Sequence, residues 1–124
     1  MELEWIDTHC HLNLKSEFAD PAVYVRQALD VGVCQMVVIG LDIETNAIAV
    51  ELADRFESIF AVVGYHPTEV AGFEKKWLRP LADYIQHPKV VAVGEIGLDF
   101  HWDKTTPVEP VSYTHLTLPT ILRV

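Results

Sequence analysis

His9 and His11 stand two residues apart in the stretch Ile6-Asp-Thr-His-Cys-His-Leu12. In an extended chain, residues two apart project to the same side, so the two imidazoles can share one cation, and Asp7 lies on that side as well. His-x-His alone also fits two core or surface histidines; its place at the end of a β-like run favours the metal reading. His66, followed by Pro67, ends a second such run, where its ring can hydrogen-bond or orient a phosphate oxygen. A loop histidine bonded to backbone is the alternative there. Asp99 and His101 follow a later run closely enough to reach a substrate, although a turn-stabilising aspartate and an exposed histidine explain them nearly as well.

Such side chains need a scaffold, and four β-like runs supply one: Leu3 to Thr8, Gln35 to Gly40, Ile59 to Gly64 and Val90 to Gly94. Val37-Val38-Ile39 and Val90-Val91-Ala92-Val93 are short continuous apolar stretches, the pattern of strands buried on both faces of a parallel sheet. Between the runs lie apolar residues at helical spacing: Ala22, Val25 and Leu29; Ile48, Leu52 and Phe56; Leu78, Leu81 and Ile85. Asp20-Pro21 caps and begins the first helix, Gly32 ends it, and Asp42 caps the second. Pro80 places the regular part of the third mainly after Arg79, and His87-Pro88 closes it. His87 reads as a solvated residue at a helix end. Trp77, Tyr84 and Phe56 recur at helical spacing and read as packing residues rather than a base-stacking platform; Trp102 is the better candidate for touching a base.

The order β-α-β-α-β-α-β defines an α/β sheet. Each run ends in a polar or glycine-containing cluster: Asp7 to His11, Gly40 to Asp42, Gly64 to Pro67, and Gly94 to Asp99. In a parallel barrel those carboxyl ends converge on one mouth, whereas an open doubly wound sheet uses only its switch-point crevice, so four clusters favour a barrel. A complete (β/α)8 barrel takes about 250 residues. Four strands within the first hundred make the expected fold the N-terminal half of a (β/α)8 TIM barrel, about four βα units.

The composition is that of one packed domain or part of one: 124 residues, half of them apolar and 22 % charged. A net charge of −9 argues against holding nucleic acid through a broad basic face, but not against a small site in which bound cations supply the local positive charge. A carboxylate-rich metal site is compatible with this acidity, and a solvated acidic surface is its commoner cause. No apolar run reaches the roughly 18 residues of a membrane span and no basic leader precedes one, which leads us to expect a cytoplasmic protein without membrane contact. Cys10 and Cys34 show no framework or zinc-ribbon spacing and read as buried free thiols.

Ile6-Asp-Thr-His-Cys-His-Leu12 resembles the opening motif of the amidohydrolase-type barrels, and Gly94-Glu-Ile-Gly-Leu-Asp99 narrows the resemblance to the TatD-like metal-dependent hydrolases, with Gly64-Tyr-His-Pro67 in agreement. The resemblance covers roughly residues 3 to 103. It implies that His9 and His11 bind a first metal and that Glu95 ligates it and bridges to a second; a surface or helix-starting glutamate is the alternative for Glu95. It also implies two divalent cations, zinc, magnesium or manganese, acting on DNA or a small phosphodiester, in an exonuclease-like hydrolysis. His66, Asp99 and His101 are then substrate contacts. No obligate protein partner is inferred. Two other readings stay open: a related barrel hydrolysing a C–N or ester bond, which the glycine-rich setting of Glu95 disfavours, and a metal-binding module without catalysis.

After Pro110 the texture changes. Val111-Ser-Tyr-Thr-His-Leu-Thr-Leu-Pro-Thr120 has no acidic residue and no helical stripe, and it resembles a translated transposase-type sequencing adaptor over ten residues without a gap. Residues 1–110 are therefore expected to be a partial hydrolase barrel and 111–124 a non-native tail, so that His115 is no ligand. By the resemblance, the remaining ligands and a catalytic aspartate come from later strands, which leads to the expectation of an inactive chain prone to aggregate through open sheet edges.

Overall fold

The computed structural model describes residues 3–97. Four parallel strands, β1 (Trp5–Cys10), β2 (Val33–Ile39), β3 (Ile59–Val63) and β4 (Val90–Val93), form one sheet in the order β1-β2-β3-β4. Helices α1 (Pro21–Asp30), α2 (Ile43–Arg55) and α3 (Leu78–Tyr84) connect successive strands. Strand order that follows sequence order is what a barrel wall built of βα units requires, and the expected half-barrel architecture stands.

Local chemistry accounts for the element boundaries. The Asp20 side chain accepts the Ala22 N–H while Pro21 opens α1, and Gly32, at φ +90, takes the left-handed turn beyond it. Asp42 and Thr45 close a reciprocal capping box at the start of α2, in which Asp42 Oδ1 accepts from Thr45 N and Thr45 Oγ1 accepts from Asp42 N. The third helix begins earlier than expected, at Leu78. Pro80 falls within its first turn, where a missing N–H costs nothing.

The core lies between the sheet and its helices. Met36 and Val38 of β2 and Ile59 and Ala61 of β3 pack on Val25 of α1 and on Ala49, Leu52 and Ala53 of α2. A second cluster joins Val63, Tyr65, Val70 and Leu81, with Phe73, Trp77, Tyr84 and Ile85 around them. Trp77, Tyr84 and Phe56 thus pack, as their spacing indicates. Burial on both faces holds for the adjacent Val38 and Ile39 of β2, 0 % and 4 % exposed, but not for the other strands. β3 alternates between buried and half-buried positions, and Trp5, Ile6 and Val91 on the two edge strands are more than half exposed. The helices close one face, and among the described residues the other face is covered at the end of β2 and only partly elsewhere.

His87 is a correction as well. Its Nε2 lies 2.7 Å from Asp54 Oδ1 and its side chain is largely covered, because the segment leading into β4 meets the end of α2 at this corner. Cys10 and Cys34 are free but only partly buried. Among the described residues no helix is long and apolar enough to cross a membrane.

Candidate metal centre at the strand ends

Three strand ends bring four side chains to one place. His9 Nε2 lies 2.9 Å from Glu95 Oε1 and 3.2 Å from His11 Nε2, while His66 Nε2 lies 3.0 Å from Glu95 Oε2. His9 and His11 come from the end of β1, His66 from the segment after β3, and Glu95 from just beyond β4. Glu95 and His66 can meet because β3 and β4 run unusually close at their ends. A Cβ on Gly64 would collide with the Gly94 backbone, and Gly94 N donates to Val63 O at 3.0 Å. This is the reason glycine stands at position 64.

Hydrogen-bond partners assign the protons on the rings. A carbonyl oxygen only accepts, so His11 Nδ1, 3.2 Å from Ile39 O, carries hydrogen and Nε2 is left with its lone pair facing the cluster. At His66 the assignment is reversed. Its Nδ1 accepts the Thr68 N–H at 3.2 Å, so Nε2 bears the proton and donates to Glu95. His9 Nε2 faces two acceptors, Glu95 Oε1 and the bare His11 Nε2, and therefore donates. One histidine is set up as a ligand, one as a hydrogen-bond donor, and His9 can serve as a ligand once its Nε2 proton moves.

His9, His11 and Glu95 each present a donor atom within 4.8 Å of the others. Two nitrogens bound tetrahedrally to one zinc lie about 3.3 Å apart, given Zn–N bonds of about 2.05 Å. The His9–His11 separation of 3.2 Å matches that edge. Imidazole and carboxylate also suit several divalent ions, so the residues present fit a cation. Asp7, although on the same strand, turns its Oδ1 to the His9 N–H at 3.0 Å instead of joining the cluster. Cys10 between the two histidines faces the opposite way, packed against the core with its Sγ toward Val37 O. Burial, reinforced by Asp7, pushes its thiol up to about 11.

Tyr65 fixes the segment that carries His66. Its hydroxyl donates to Trp77 O at 2.6 Å, its ring packs with Phe73 and Trp77, and burial raises its pKa to about 12. His66 is itself the cap of the short 3-10 turn Pro67–Glu69. The backbone-bonded reading of this residue holds for Nδ1, and Nε2 is turned to the cluster. Asp99, His101, Trp102 and His115 lie outside the described residues, as does the tail 111–124. Sequence reasoning passed over Asn13, Asn46 and Thr68, whose side chains or backbone hold the histidine-bearing segments. A polar Asn13 between Leu12 and Leu14, and an asparagine inside a helix, were the available signals.

A parallel α/β sheet that gathers two histidines and a carboxylate at its strand ends is a barrel-type scaffold with an imidazole–carboxylate cluster that could hold a metal ion. More narrowly, the chain belongs to the TatD-related DNase family, whose model matches residues 6–113. YabD of Bacillus subtilis, named as an uncharacterized metal-dependent hydrolase, is 36 % identical over 99 residues, which are 80 % of this chain and 39 % of that protein. TatD of Escherichia coli K12, named as a 3'-5' ssDNA/RNA exonuclease, is 32 % identical over 95 residues, 76 % of this chain and 36 % of the relative. The crystal structure of the TatD homologue YjjV from Escherichia coli superposes with a TM-score of 0.74 at 30 % identity, covering 96 % of this chain and 45 % of that one. The chain thus spans about two fifths of the length of the curated relatives it matches.

Proposed function

We propose that this chain carries the first part of the active site of a metal-dependent phosphodiesterase acting on DNA ends or on a small phosphodiester. The observation that supports this most is the convergence of His9, His11, Glu95 and His66 within hydrogen-bonding distance at the ends of three parallel strands. His9, His11 and one oxygen of Glu95 would hold a divalent cation, zinc, magnesium or manganese. The two Glu95 oxygens already face different partners, the arrangement a carboxylate needs to bridge to a second cation. A cation bound there supplies Lewis acidity for a phosphoryl oxygen and for attacking water.

The protein's own part is positional. The proton fixed on His66 Nε2 by the Thr68 backbone is available to a phosphate oxygen that takes the place of Glu95 Oε2. His11 cannot make that donation, since its proton is committed to Ile39 O. Asp99 and His101 are proposed as further substrate contacts. The names of the TatD relatives support a single-stranded nucleic acid as substrate, and the acidity of the chain favours a confined site over a basic binding face. We place the protein in the cytoplasm and assign it no obligate protein partner.

Residues 1–110 are proposed as the natural portion and 111–124 as a passenger, although the family match runs a few residues past Pro110. On this reading further ligands and the catalytic aspartate lie on later strands of the parent protein. The test is hydrolysis of a 3'-labelled single-stranded oligonucleotide with magnesium or manganese, by the 124-residue chain and by a longer product of the source gene. Activity only in the longer product is expected. Turnover by neither protein, with either metal, contradicts the proposal.

A further inference from the structure

Two asparagines are almost completely buried, Asn13 and Asn46, each 1 % exposed. Burying a carboxamide is unfavourable unless its groups find partners. Asn46, on α2, finds both of its partners on one residue 18 positions away: its Nδ2 donates to Gly64 O at 2.7 Å and its Oδ1 accepts from Gly64 N at 3.0 Å. On either side of that pair the main chain supplies the bonds, Gly40 N to Val62 O and His66 N to Leu41 O, each at 2.8 Å. The Asn46 amide therefore stands in for a peptide group where β2 has already ended, and it extends the ladder of β3 up to His66. Gly40 is required alongside it, because a Cβ there would run into the Asn46 side chain.

Asn13 is tied to the other histidine. Its Nδ2 donates to Ile39 O at 2.8 Å and to Thr45 O at 3.0 Å. Ile39 O is the carbonyl that also accepts from His11 Nδ1. Asn13 thus fixes the acceptor that sets the His11 tautomer and exposes its Nε2. Its Oδ1 has no hydrogen-bond partner among the described residues, so the bonds this carboxamide makes there are those of its donors.

We infer that Asn13 and Asn46 are separate positioning residues, Asn13 for the metal-facing nitrogen of His11 and Asn46 for the donor nitrogen of His66. The inference rests on the proposed roles of those two histidines. Outer partners of metal-bound imidazoles change metal affinity by about 10–100-fold when removed. Asn13 acts one bond further out, through Ile39 O, so Asn13→Ala is expected to weaken Zn2+ binding by about ten-fold, the lower end of that range, while leaving the His66 ring signals in place. Asn46→Ala is expected to shift or broaden the His66 ring signals, with Zn2+ affinity within about two-fold of the unaltered chain.

The experiment combines calorimetric Zn2+ titration with nitrogen-15 spectra of the histidine rings for the 124-residue chain and both variants. Asn13→Ser and Asn46→Ser, which keep one donor, replace the alanine variants should those fail to fold. Effects that stay divided between the two histidines support the inference. Parallel effects of both variants on both readouts, or collapse of all four variants, would show that the carboxamides serve the fold alone and overturn it. If the unaltered chain binds no Zn2+, the metal reading fails, while the ring spectra of the variants still decide whether each asparagine controls its own histidine.

Discussion

The two ends of the sheet use polar groups in opposite ways. At the carboxyl ends, His9, His11, His66 and Glu95 point their functional atoms at one another, and His9 is still half exposed. At the amino ends, Lys89 turns its Nζ to the carbonyls of Ala53 and Phe56, both at 2.6 Å, and of Glu57 at 3.2 Å, over the ring of Phe60. His87 beside it holds Asp54. The second arrangement satisfies the orphan carbonyls that every helix end leaves, here those of α2. In the first, the ring nitrogens left over from backbone bonds at His11 and His66 face His9 and Glu95 respectively. One carboxylate and three imidazoles are gathered there, and parallel barrels place chemistry at that face and stability at the other.

This contrast can be broken from either side. The largest effect is expected for Glu95→Ala, which removes a ligand rather than an outer partner. Zn2+ affinity measured by calorimetry should fall by about a hundred-fold or more, beyond the range for outer-shell changes, with little change in melting temperature. An unchanged affinity would place the cation elsewhere. Lys89→Met should do the reverse, lowering stability by about 2 kcal/mol through lost charge-assisted bonds to the α2 carbonyls, as read from urea unfolding, without altering Zn2+ affinity.

A smaller effect sharpens the picture at the site end. The Tyr65 phenol ionises at about 12 in the folded chain against an ordinary 10. The folded state therefore keeps a proton that the unfolded state gives up, and this contribution is complete below pH 10 and lost as pH rises from 10 through 12. Unfolding followed across that window should show stability falling with pH, and Tyr65→Phe should flatten the slope. A slope unaffected by the substitution would assign it to other groups.

The sequence made the scaffold readable because its signals are local. The caps at Asp20 and Asp42, the apolar runs of β2 to β4 and the His9–His11 spacing all act within a few residues. What escaped reading depends on chain segments far apart. Asn13 meets Ile39 and Thr45 at separations of 26 and 32 residues, and His87 meets Asp54 across 33, so no periodicity could announce them. Glu95 became legible only through family resemblance, since a lone glutamate between glycines carries no spacing signal. The openness of β1 and of Val91 was hidden for a related reason: apolar runs show which residues could be covered, not what covers them.

Exposed edges carry their own expectation. Trp5, Ile6 and Val91 leave apolar surface on the outer strands β1 and β4, so the 124-residue chain should self-associate in light scattering. Ile6→Lys together with Val91→Lys should shift it toward monomer.

The most direct test of the account is a Zn2+ titration of the unaltered chain followed through its histidine ring nitrogens. Binding is predicted to move Nε2 of His9 and His11 to metal-bound positions while His66 retains its Nε2 proton. Coordination by His66, or a titration in which neither His9 nor His11 responds, would contradict the division between ligands and donor on which the functional reading stands.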